Sequence, residues 1–368
     1  MATGAGIALH HGGIVSVNQA APINVRRTVL ASMDTPYAVT LDATADGLVA
    51  FAASEMRNGA SMMFKGPEWS PIPIATRPGG CMGVVPLGRA GMQGILMIED
   101  FFPIFQSDAS GAALYTPSAN GMGLWNRRRL FDLPFLHRVG FAMHHGRPLF
   151  IASQLCRSKR TIDDWSKPGA IYKVSCNVGE VPWRVDESPL LDGLHRNHGL
   201  LMRKGEHGAI IHVAADEGIL VLRQPVALDS WIVERVIDEP SSDLWMADID
   251  GDGVEEIVSI HPFHGDKARI YKRIDSRWQA VWEVDGAFGH VVWSGQLRGR
   301  TCLLLGWREE RKNLELHILE DARSWKFRRQ VLDEGVAPLN AVVHHGQDKD
   351  LIMASLGTTH EVVLYTLY

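Results

Sequence analysis

Sixteen histidines are spread over 368 residues, and four of them, His198, His261, His264 and His290, fall where a recurring strand pattern begins or turns. A neutral imidazole is a nitrogen ligand for transition metals and, with an ordinary pKa of about 6.5, a carrier of protons near neutrality. His198 and His290 hold equivalent positions at the mouths of first strands, and His261 and His264 flank a loop of the repeat between them. A single loop histidine is ordinarily a hydrogen-bonded structural residue. Four brought to one rim by separate repeats predict a pocket that holds a divalent transition metal or moves protons. Tyr37 stands on the same rim as a proton donor, and Arg57 and Arg157 offer guanidinium forks for an anionic substrate or intermediate. His144, His145, His344 and His345 fall near the opposite rim and are set aside.

A second constellation is acidic. In Asp248-Ile-Asp250-Gly-Asp252-Gly-Val-Glu-Glu256, carboxylates alternate at positions one, three and five and return at position nine, around a glycine suited to a sharp turn. Such spacing suits a hard cation that takes about six to eight oxygens, and calcium is the expected occupant, in a structural role. Three acids within five residues repel one another unless a cation or water relieves them.

The elements that must position these residues are short strands. Trp69, Trp125, Trp183, Trp231, Trp278 and Trp325 recur at intervals of 56, 58, 48, 47 and 47 residues, each near the start of a β-like run. A period in the forties built of strands predicts an all-β propeller, with four-stranded antiparallel blades around a central channel. The tryptophans read as apolar filling between blades. Seven first strands can be placed, beginning at Tyr37, Cys81, Val139, His198, Leu244, His290 and Leu339, with blades starting near residues 34, 81, 137, 194, 241, 288 and 336. The seventh blade runs out of chain at Tyr368 before its fourth strand. Asn24-Val-Arg-Arg-Thr-Val-Leu30 matches the fourth strand of the preceding blade, Lys326-Phe-Arg-Arg-Gln-Val-Leu332, so residues 24–32 are expected to complete the seventh blade and close the ring. The whole chain, 1–368, then forms a single domain.

The acidic turn and its continuation resemble the FG-GAP or VCBS repeat of integrin-type propellers. The resemblance implies calcium ligands at Asp248, Asp250, Asp252 and Glu256, with the backbone carbonyl of Val254. Ile260-His-Pro-Phe-His-Gly-Asp266, followed by Gly289-His290, resembles the propeller portion of aldos-2-ulose dehydratases and related proteins. That likeness covers chiefly residues 241–310, and no segment remains for the additional cupin-like domain of those enzymes. It implies a lyase of the dehydratase type acting on a sugar-derived or other small oxygenated substrate: a proton is abstracted beside a carbonyl and a β-substituent is lost. His290 or His198 would be the base. A metal held by His261 and His264, or an arginine, would stabilise the enolate, and Tyr37 or a second histidine would protonate the leaving oxygen.

Two alternatives belong to other classes. Phe101, Phe102 and Phe105 and the methionine-rich early blades suit a biosynthetic cyclase acting on a small apolar metabolite, and the fold also serves non-catalytic glycan- or protein-binding scaffolds. The segment Gln154–Gly169 is longer than a hairpin needs and is expected to fold over the pocket as a lid. No phosphate-binding glycine loop, nucleophile elbow or His-Glu-x-x-His helix is present. A net charge of −5 argues against a nucleic-acid partner, and Met1–Gly13 reads as neither signal nor anchor, so a cytoplasmic protein with a small-molecule substrate and no membrane is expected. Four scattered cysteines lack metal or redox spacing.

Overall fold

In the computed structural model, the described residues are 21–102, 106–118, 123–176, 182–206, 208–224 and 230–368; the expectations for Met1–Gly13 and Phe105 lie outside them. Seven antiparallel sheets follow one another in chain order, and the first strand of each packs against that of the next until the seventh meets the first. The innermost strands are Pro36–Thr44, Val84–Pro86, Leu136–His144, Gly199–Gly205, Asp243–Ala247, Gly289–Leu297 and Pro338–His345. This is the expected seven-bladed propeller. Among the described residues no helix is long and apolar enough to cross a membrane.

Two blades depart from the simple pattern. The second starts its strand at Val84 rather than Cys81, because Gly79 and Gly80 turn the chain through positive φ and the Cys81 N–H donates to the Ser54 carbonyl of the first blade. In the third blade the outermost position is split between Arg184–Val185 and Leu191–Leu194, which pair with opposite ends of Gly169–Ser175. Pro189 sits in the break, where it needs no ladder hydrogen bond.

Ring closure follows the sequence. Val25–Ser32 pairs antiparallel with Glu361–Leu367, from Val25 opposite Leu367 to Ser32 opposite Glu361. Arg27 ties the joint sideways, with Nε 2.6 Å from Asp333 and Nη2 2.6 Å from Glu361. The core is not central. It lies in the seams between blades, as seven clusters of buried apolar side chains. Each recurring tryptophan packs into a different seam. The remaining seam, between the sixth and seventh blades, receives Ile23 at 4% exposure. Ile23 precedes Asn24 as Trp325 precedes Lys326, so the missing seventh tryptophan is an isoleucine.

Candidate functional site

Four blades re-aim one side chain at the start of the first strand by the same backbone device. Between the first and second strands the register slips by one residue at Tyr37, His137, His290 and Leu339. Such a bulge leaves one residue outside the ladder and re-aims it. His198 and Ser242 stand at the corresponding points of the fourth and fifth blades, each donating its N–H to the carbonyl that faces the start of its strand. Two residues upstream of five of these six positions, Thr35, Phe135, Arg196, Phe288 and Ala337 adopt φ between 35° and 55°, a left-handed turn that costs a non-glycine residue roughly 1–2 kcal/mol. The turn aims the chain inward, and the bulge holds the next side chain there.

The result is a cavity of about 420 Å³, lined by Tyr37, Glu55, His137, His198, His264, His290 and Arg308 and walled by Phe101, Phe135, Trp165, Phe263 and Phe288. One ring nitrogen from each of His198, His264 and His290 lies within 4.8 Å of the others. His264 reaches in from the loop after Glu256–His261, held flat between Phe263 at 3.9 Å and Phe288 at 4.5 Å. His264 Nε2 faces His198 Nε2 at 3.4 Å, and His198 Nδ1 lies 3.1 Å from the Ser242 carbonyl. A carbonyl only accepts, so Nδ1 of His198 carries the proton and its Nε2 presents a lone pair into the cluster. Nδ1 of His290 and Nδ1 of His137 are buried and find no hydrogen-bond partner among the described residues. His137 adds a fourth ring, centred 4.6 Å from His198.

All four imidazoles are neutral. Burial pushes His137, His198 and His290 well below the usual histidine range, reinforced by neighbouring histidines and by Arg138. Burial also takes His264 down to about 3, with the positive charges of Arg308 and Arg138 adding to it. Two other groups move the opposite way. Burial pushes the Glu55 carboxyl up while Arg308 pulls it back, and burial keeps the Tyr37 phenol protonated. The Tyr37 ring meets His290 edge-on at 5.7 Å. The cluster therefore offers lone pairs rather than positive charge, and the donor set fits a borderline-soft divalent metal.

The structure separates other expected residues from this pocket. His261 lies inside the fifth blade: Nδ1 is 2.9 Å from the Pro240 carbonyl and Nε2 2.6 Å from Ser259 Oγ, so both nitrogens are spent on blade-internal hydrogen bonds. It is not available as the partner of His264 in holding a metal. Arg57 stacks on the Phe102 ring at 3.9 Å, and Arg157 forks onto Asp192 with both oxygens at 2.7 Å; neither lines the cavity. His137 was not expected. The third first strand read from sequence starts at Val139, but aligning on the bulge puts Leu136-His137 over Pro36-Tyr37 and Gly289-His290.

The long segment after Gln154 reaches the pocket. Lys159, Ile162, Asp163 and Trp165 contribute to its lining, and Trp165 packs against Phe263 at 5.3 Å. Its neck is closed by the bridge between Cys156 and Pro168, and Asp164 ties the turn by accepting from Ser166 Oγ at 2.6 Å. Phe101 lines the pocket, and Phe102 instead packs under Arg57.

The acidic turn lies between Asp243–Ala247 and Glu256–His261, at the strand ends away from the pocket. Oxygens of Asp248, Asp250 and Glu256 lie within 4.8 Å of one another. Lys272, from the same blade, reaches into the turn, with Nζ 2.6 Å from Asp250, 2.6 Å from Asp252 and 3.1 Å from Glu256. Val254 is exposed, and its N–H donates to Asp252 at 2.8 Å. As arranged, an ammonium occupies oxygens of three of the four carboxylates expected to hold calcium.

No protein-family model matches the chain, and no curated protein matches its sequence. Solved structures do resemble it in shape. BBS1N in complex with ARL6DN aligns with a TM-score of 0.58 over 93% of this chain and 95% of that one, at 10% identity. The Dos1 propeller aligns at 0.53 over 90% and 78%, and Sqt1 of Saccharomyces cerevisiae at 0.51 over 92% and 96%, both at 10% identity. At that identity these likenesses establish a propeller fold and nothing finer.

Proposed function

We propose that the histidine pocket is the active site of a metal-assisted carbon–oxygen lyase acting on a small oxygenated substrate. The observation that carries this reading is the convergence of three neutral histidine nitrogens beside a half-buried carboxyl and a buried phenol. His198, His264 and His290 would hold a divalent transition metal, whose contribution when bound is to polarise a substrate carbonyl. Glu55, ionised, takes the proton from the carbon beside that carbonyl. The electron pair released there expels the β-oxygen, and the Tyr37 hydroxyl supplies the proton that the leaving oxygen needs. Arg308 faces the same space and balances the negative charge of Glu55. Trp165 and Phe263 restrict water above the site. In this arrangement Glu55 takes over the role of base, because His198 and His290 are turned toward the metal cluster.

The walls refine the substrate. Phe101, Phe135, Trp165, Phe263 and Phe288 offer flat apolar faces and few partners for a ring of hydroxyls. They favour a metabolite with a planar or apolar carbon frame over a free sugar, and they support cyclisation of such a compound as the second reading. Glu55→Gln and Tyr37→Phe test the roles against a panel of β-hydroxy and β-alkoxy carbonyl compounds. Each is expected to lower kcat by about 100- to 10,000-fold, the usual worth of a positioned acid or base. Full turnover in both variants would remove these two groups from the chemistry.

The neutrality of the histidines sets a pH signature. A ligand with a lowered pKa meets competition from protons only at lower pH, so zinc affinity is expected to hold from about pH 8 to about pH 5. Ordinary imidazoles would begin to lose it below about pH 6.5. Calorimetric titration with zinc across that range distinguishes the two, and a steep loss between about pH 7 and pH 6 would mean that the cluster is solvated rather than buried.

A further inference from the structure

The acidic turn of the fifth blade has the spacing of a calcium loop, yet its bonds are already accounted for from within the chain. Asp248 accepts from the Gly251 and Gly253 N–H groups at 2.8 and 3.0 Å, and one Glu256 oxygen accepts from the Ile249 N–H at 2.8 Å. Asp252 accepts from the Val254 N–H at 2.8 Å. The oxygens left pointing inward belong to Asp250, Asp252 and Glu256, and Lys272 Nζ donates to each of them. An ammonium has three N–H donors, and all are used. Lys272 comes from Lys267–Ile274, the strand next to the one that starts with Glu256, so its backbone is fixed by a ladder and its reach is set. The Trp325 ring lies 5.9 Å from Nζ and covers it from the neighbouring blade.

We propose that this turn is a cation site whose resident cation is the Lys272 ammonium, and that it admits a divalent ion only when that amine is removed. Three facts support it. A calcium ion at bonding distance of about 2.3–2.6 Å from six to eight oxygens and an ammonium cannot share one centre. The ammonium relieves the mutual repulsion of the carboxylates that the ion would otherwise relieve. Burial opposes the charge on Lys272, but its three carboxylate bonds hold its pKa above that of an ordinary lysine, so the amine stays charged throughout the physiological range.

Terbium luminescence and thermal melting of the full chain test the idea. Terbium stands in for calcium, and Trp325 is placed to sensitise it. Wild-type protein stripped of transition metals beforehand is expected to give no sensitised emission and to melt at the same temperature with and without millimolar calcium. Lys272→Met is expected to melt several degrees lower in EDTA, to recover most of that loss in calcium, and to give saturable terbium emission. Wild-type emission, or a wild-type Tm that falls in EDTA and returns with calcium, would overturn the proposal even if the variant fails to fold. A folded Lys272→Met that neither melts lower in EDTA nor binds terbium would overturn it as well. Asp250→Asn in the Lys272→Met background is expected to lose the terbium signal, which ties the emission to this turn.

Discussion

Replacing His264 by Ala is expected to abolish stable transition-metal binding, weakening it by more than about 100-fold, which exceeds the usual cost of altering a residue behind a ligand. His264 is held flat between Phe263 and Phe288 and aims Nε2 at the lone pair of His198. Its loss leaves two imidazoles from separate blades, too few for a closed site. The measurement is cobalt loading of the purified protein, read from visible absorption, with zinc content by elemental analysis. His261→Ala is the matched control. It is expected to keep full metal content and to lose only about 1–3 kcal/mol of stability, because the Pro240 carbonyl and Ser259 lose a buried partner. Wild-type protein that binds no cobalt, or a His264→Ala protein that binds it as well as wild type, would return the pocket to a metal-free reading.

Deleting residues 1–32 is expected to unfold the ring. The deletion removes the strand Val25–Ser32 and takes Ile23 out of its seam and Leu30 out of the next. Those two side chains alone contribute roughly 3–6 kcal/mol, against a net stability for a folded protein of about 5–15 kcal/mol. The loss is compounded by exposure of the edge of Glu361–Leu367, whose Val363, Leu364 and Tyr365 are otherwise buried. An open apolar edge templates pairing with other chains, so the truncated protein should aggregate. Circular dichroism melts and size-exclusion chromatography are the readouts. A soluble truncated monomer with an unchanged Tm would show that the closing strand contributes little.

The fold is legible in the sequence because its repeats are redundant. Six tryptophans mark six seams, and the match between Asn24–Leu30 and Lys326–Leu332 exposes the closing strand through residue types alone. The pocket is legible in part. His198, His264, His290 and Tyr37 meet as expected, since strand starts in a propeller converge. His261 fails because side chains alternate along a strand: being in the same short segment as His264 does not put it on the same side. His137 is hidden because the strand read from Val139 begins three residues earlier, at Leu136, and element boundaries are weakly marked by residue types. Arg57 and Arg157 show a different limit. Their charges are visible in the sequence, but their partners, Phe102 and Asp192, approach from chain segments that no periodicity links to them. Lys272 is the converse case, an unremarkable strand lysine whose meaning depends on the turn beside it.

The bulge at the start of four first strands has a consequence for how such a protein changes over time. The bulged residue stands outside the ladder, so its identity is not constrained by sheet pairing, while the residues on either side keep their registers. Tyrosine, histidine, histidine and leucine occupy the same backbone position in four blades of one chain. The ring thus behaves as a set of interchangeable sockets on a fixed frame. New chemistry can be assembled there by single substitutions, one blade at a time, with the cost in folding confined to the socket that was altered.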